Sequence, residues 1–108
     1  MGVINASGSL SFNGLTPSTI SKITNLPMAL ADTEYNHTLE DGTKALLFKM
    51  RKGDAIIKYA FTSGETATKY CTLEMGNEFV IENVLLNSTT LYVSSSKASR
   101  ILEILEWR

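Results

Sequence analysis

The chain has 108 residues, the size of one small domain, and its 44% hydrophobic content is enough to build a core without staples. Ten basic against eleven acidic side chains leave a formal net charge of −1, which excludes a global field for attracting nucleic acid or anionic membranes. A single cysteine, Cys71, excludes an intrachain disulfide and a cysteine-based metal cluster, and a single histidine, His37, excludes a multi-histidine site.

The opening "MGVINASGSLSF" carries neither the basic nor the continuous apolar stretch of a secretory leader, and no apolar run nears the roughly 18 residues of a membrane helix. A soluble, unprocessed protein is expected. Between Met1 and Ala31 the only charged side chain is Lys22, amid many Ser, Thr and Asn residues. A neutral, hydroxyl-rich segment can lie against another protein without desolvating charge, so residues 1–8 are a candidate contact arm within a single domain of residues 1–108. An edge strand at "GSLSFNG" followed by a loop explains the same residues. Both prolines, Pro17 and Pro27, fall between residues 14 and 43, where only "STISKIT" suggests a strand and an irregular connection is expected otherwise.

From there on the punctuation is regular. Gly42, Gly53, Gly64, Gly76 and the pair Asn87-Ser88 recur every 11 or 12 residues, and these residues supply or tolerate the positive φ of tight turns. Between them lie "KALLFKMR", "DAIIKYAF", "TATKYCTLEM", "EFVIENVLL" and "TTLYVSSS", each readable as a strand. Leu46, Phe48 and Met50 share a face opposite Leu47, Lys49 and Arg51; Ile57, Tyr59 and Phe61 oppose Ile56, Lys58 and Ala60; Leu91 and Val93 oppose Tyr92 and Ser94. In "KYCTLEM", Cys71 alternates with Leu73 and is expected to be a small buried thiol. The last stretch, "SRILEILEWR", places Ile101, Leu105 and Trp107 on one strand face, with a short terminal helix as the alternative. Short strands with turns this close predict an all-β protein, an antiparallel β-sandwich of about eight short strands, jelly-roll-like, whose turns trace a meander.

The search for chemistry finds no catalytic residues, no cofactor site and no metal site. His37 lies in the polar "EYNHTLEDG", read as a loop that exposes it, and nothing adjacent supplies a triad. "LEDGT" lacks the alternating ligands of a calcium loop, and "SGETATKY" lacks the second glycine of a phosphate-binding loop. Glu103 and Glu106, three apart on a strand, point to opposite faces and cannot act as a glycosidase pair. Lys44, Lys49, Arg51, Lys52 and Lys58 stand near Tyr59 and Phe61, the composition of a small β-barrel binding single-stranded nucleic acid. Alternation opposes that reading, because Tyr59 and Phe61 share a face with Ile57.

The succession of strands resembles the small virion β-sandwich proteins of tailed bacteriophages. The likeness spans residues 39–107 and is carried by "RKGDAIIKYAF", by Leu73, Gly76 and Phe79 in "LEMGNEF", by "TLYVSS" and by the closing "ILEW". It implies a non-enzymatic structural component on the capsid surface, made in the bacterial host cytoplasm. The role implied is a capsid decoration or cement protein that binds the major capsid protein, in many copies or as a homo-oligomer, with neither membrane nor nucleic acid as partner. Head-fibre bases, tail components and portal-associated proteins are the alternatives within the virion. The contact surface expected from the neutral arm comprises Leu10, Phe12, Leu15, Ile20 and Ile23. Arg51 and Lys52 add solvent-facing charge, and Trp107 is placed either to anchor an interface or to close the core.

Overall fold

The computed structural model describes residues 21–108, together with the backbone of two short strands, β1 (Val3–Ile4) and β2 (Leu10–Ser11). These two pair antiparallel with each other, Val3 opposite Ser11 and Ile4 opposite Leu10, so the strand expected within "GSLSFNG" belongs to its own two-stranded ladder. Eight further strands follow: β3 (Ser21–Met28), β4 (Tyr35–Thr38), β5 (Thr43–Met50), β6 (Ile57–Ala60), β7 (Cys71–Leu73), β8 (Glu78–Leu86), β9 (Thr90–Ser95) and β10 (Arg100–Trp107). The terminal stretch is therefore a strand. "EFVIENVLL" forms β8 end to end, whereas "TATKYCTLEM" is mostly a loop with a 3-10 turn at Glu65–Ala67, leaving only β7 as strand.

The strands form two four-stranded antiparallel sheets, ordered β3-β10-β5-β8 and β4-β9-β6-β7. They pack face to face as a β-sandwich in which the chain passes from one sheet to the other at most connections, the winding of a jelly roll. Among these eight strands, only β6 and β7 are both consecutive and hydrogen-bonded to each other. The expected meander is thereby corrected. Regular turns set strand length, but each strand has one oily face, and crossing between sheets lets both sheets bury that face against each other. Gly42, Gly64 and Gly76 take φ values of 84°, 84° and 79°, and Ser88 takes 50°, as their turns require. Gly53 instead serves close approach, since a Cβ there would stand 3.0 Å from the Gly76 Cα.

Of the segment 14–43, residues 21–43 are described, and they are more regular than the expected irregular connection. β3 continues through Pro27, which is tolerated because β3 is an edge strand, and "EYNHT" contributes β4.

The core collects one face of each sheet. Leu46, Phe48 and Met50 of β5, Leu102 and Ile104 of β10, Leu91 and Val93 of β9 and Ile57 of β6 are all buried. Phe48 stacks on Phe79 at 4.6 Å and meets the edge of Tyr59 at 5.3 Å, which ties β5 and β8 to β6 of the facing sheet. Burial of each such large side chain contributes about 1.5–3 kcal/mol. Along β10 the buried parity is Leu102, Ile104 and Glu106, so Ile101 and Leu105 point outward. Trp107 shares their parity yet is 6% exposed, buried beside Ala45 in a second small cluster.

Two of the sequence expectations fail at β6 and β7. Phe61, beyond the end of β6, is 43% exposed and leaves the core to Tyr59. Cys71 is exposed, because β7 is a three-residue edge strand in which only Leu73 is buried.

Candidate partner-contact face

The outward face of the β3-β10-β5-β8 sheet carries apolar side chains where alternation would place polar ones. The register sets Ile23 of β3 opposite Leu105 of β10, Leu105 opposite Leu47 of β5, and Leu47 opposite Val80 of β8, a row across all four strands. Ile23 is 71% exposed. A shallow groove of about 210 Å³ runs here, lined by Ile23, Leu47, Leu105, Lys49 and Glu103. The next row supplies its charged wall: Arg51 Nε donates to Glu103 Oε2 at 3.0 Å, and Lys49 Nζ stands 3.9 Å from Glu103 Oε1. An apolar floor thus lies beside charges that pair with one another.

The other sheet presents a polar outer face. The loop after β6 folds back over it, held by Glu34, whose carboxylate accepts from Thr66 Oγ1 at 2.6 Å and from the Gly64 N–H at 3.1 Å. The Thr66 hydroxyl, followed by the Gly64 N–H, keeps the Glu34 carboxyl below its ordinary range. A cleft of about 330 Å³ between loop and sheet is lined by Asp32, Glu34, Lys58, Thr66 and Ser94. Nearby, the Lys58 ammonium stands 4.7 Å above the Tyr70 ring, an amine-on-aromatic contact.

His37 is not in an exposed loop. It lies on β4 facing inward, 12% exposed at its side chain, with Nε2 2.8 Å from Oε1 of Glu106 on the facing sheet. Glu106 is fully buried and its second oxygen, Oε2, has no hydrogen-bond partner among the described residues. The inward parity of Leu102, Ile104 and Glu106 was the signal available in sequence: a carboxylate on an oily face demands a partner, and a strand reading of "EYNHT" would have supplied one. Among the described residues no group of three or more His, Cys, Asp or Glu side chains is placed to hold a metal ion. Nor is any helix there long and apolar enough to cross a membrane.

Of the expected contact residues, Ile23 and Arg51 do come to one sheet face. Lys52 sits in the following loop, 3.7 Å from Asp54, and Trp107 takes the core-closing place. Leu10 is on β2, and Phe12, Leu15 and Ile20 lie outside the described residues. Leu47, Leu105 and Glu103 were not expected as contact residues, although leucine at an outward parity marks the first two. The basic residues divide: Lys49 and Arg51 flank the apolar groove, while Lys58 points from the outer face of the other sheet.

This geometry defines a small jelly-roll sandwich with one apolar and one polar outer face. No protein-family model matches the chain, and no curated protein matches it.

Proposed function

We propose that this chain is a non-enzymatic structural protein of a bacteriophage virion, a capsid decoration or cement protein that binds the major capsid protein shell and bridges neighbouring subunits. The likeness of its strand sequence to small virion sandwiches suggests the class, and fold by itself does not choose among the many roles jelly rolls perform. The observation that carries the reading is the apolar groove of Ile23, Leu47 and Leu105 with its wall of Lys49, Arg51 and Glu103. Such a groove takes an apolar side chain from a shell subunit, and in a repeating shell many modest contacts add through avidity.

The test is co-sedimentation of the purified chain with candidate capsid shells. Binding should saturate at a fixed ratio to the shell subunit and be lost in Leu47→Asp, with the strand signal in circular dichroism unchanged. Absence of co-sedimentation, or Leu47→Asp binding like the parent, overturns the reading. The single-stranded nucleic-acid alternative draws on Lys58 above Tyr70 and on exposed Phe61. It is weakened by the division of the basic residues between opposite faces, and a labelled oligonucleotide shifted in a salt-sensitive way would favour it.

A further inference from the structure

We propose that β3 is a pairing edge through which two copies of this chain join antiparallel about a twofold axis at Ile23, extending the β3-β10-β5-β8 sheet into a continuous eight-stranded one. This inference does not depend on the virion reading.

The argument starts from backbone direction. The Arg51 N–H donates to the Ile101 carbonyl at 2.9 Å, so Ile101 turns its polar groups toward β5. In an antiparallel ladder a residue's N–H and C=O point to the same side, and successive residues alternate. On β10, then, Ile101, Glu103 and Leu105 serve β5, while Leu102, Ile104 and Glu106 serve β3. The unbroken register places Leu26, Thr24 and Lys22 opposite the latter set. The backbone groups of Ser21, Ile23, Asn25 and Pro27 therefore point away from the sheet. Pro27 fits this parity, because the N–H it lacks is one the sheet does not use. All four residues are exposed.

The other edges are blunted in ways β3 is not. β4 and β7 are only four and three residues long, and β8 is bent by Asn83 at φ 62°, opposite a register shift between Thr43 and Ala45. β3 is eight residues of unbroken register whose one charge, Lys22, lies on the other parity with its ammonium 2.7 Å from Glu40.

A second copy is the occupant that this edge fits. With the axis at Ile23, Ile23 faces Ile23 of the partner subunit, and Ser21 and Asn25 face the partner's Asn25 and Ser21. Each pair exchanges both backbone bonds, and Pro27 falls beyond the last pair. No like charges meet, since Lys22 comes opposite the partner's Thr24. The row of Val80, Leu47, Leu105 and Ile23 runs on across the seam into the same row of the second copy, covering Ile23, the most exposed large hydrophobic residue of that row.

The experiment uses the full chain with Cys71→Ser, so that any added thiol is the only one. Facing Cα atoms in a bonded pair stand about 5.5 Å apart, within disulfide reach. Ile23→Cys is expected to oxidise to a covalent dimer and Asn25→Cys, which faces serine, is not. Asn25→Pro removes one outward N–H from each copy and leaves β10 pairing intact. It should weaken dimerisation by at least about tenfold, measured by sedimentation equilibrium, with folded strand content retained. A parent chain that stays at its 11.9 kDa monomer mass up to about 1 mM, or Asn25→Pro dimerising like the parent, overturns the proposal. Equal cross-linking of the two cysteine variants does so as well. A dimer that ignores capsid shells would sink the virion reading alone, and a monomer that decorates them would sink this one alone.

Discussion

The two ends of β10 each join an acidic side chain to a basic one, in opposite surroundings. At its start, Arg100 grips Asp54 through two bonds of 2.8 Å, with Lys97 and Lys52 near the same carboxylate and a third of the aspartate side chain open to solvent. At its end, Glu106 is buried, held by His37 from the facing sheet and otherwise unpartnered among the described residues. The rim pair is geometrically the better of the two, yet water screens and replaces it. The buried pair has one bond and no substitute. The difference teaches that contact quality and dependence on the contact are separate quantities, and burial sets the second.

The largest test breaks the buried pair. His37→Ala leaves the buried Glu106 carboxyl without its hydrogen-bond partner and should lower unfolding free energy by about 1–3 kcal/mol in urea denaturation. Replacing both partners, with His37→Leu and Glu106→Leu, should recover most of that loss or exceed the parent. A full-sized loss in the double variant would mean that packing, and not the unpaired carboxyl, is responsible.

The rim pair should answer instead to acid. Arg100 first, then Lys97 and Lys52, hold the Asp54 carboxyl down to about 2. A carboxylate depressed on folding contributes stability that is complete above its unfolded pKa, about 4, and is lost as pH falls toward 2. Arg100→Met should therefore flatten the fall of the thermal midpoint across that window while changing it less at neutral pH than His37→Ala does. The slope will not vanish, because Glu34 and Glu40 are depressed in the same direction by Thr66 and Lys22.

The smallest effect belongs to the pairs on the outer face. Arg51→Gln removes a contact between half-exposed partners and should change stability by about 0–1 kcal/mol, less still in high salt. A larger change would show that the groove wall supports the fold and is not simply displayed.

Much of this architecture could be read from alternation. The oily parities of β5 and β9 and the strand nature of "RILEILEWR" follow from period-two patterning, since a strand in a sandwich must hide one face. Sheet pairing was not legible, because turn spacing reports where strands end and says nothing about which sheet receives the next one. β4 was missed because "EYNHT" has no apolar residue but Tyr35 to mark an inward face, and its inward histidine reads as a surface residue until Glu106 is seen behind it. On the candidate face, Ile23 was singled out for its place near the neutral arm and Arg51 for its solvent-facing charge. Leu47 was placed on the face opposite Leu46 and Phe48, and Leu105 beside Ile101, but neither was read as a contact residue because pairing across β5, β10 and β3 is what joins them into one row.

The place of β10 has a consequence for how the protein is made. It lies between β3 and β5, so the first sheet to begin emerging from the ribosome lacks its centre until Trp107 has cleared the exit tunnel. Until then β3 and β5 have no common neighbour, and their unsatisfied edges are held apart only by solvent. A stall short of β10 therefore leaves the facing edges of β3 and β5 open for a chaperone or a neighbouring nascent chain to find.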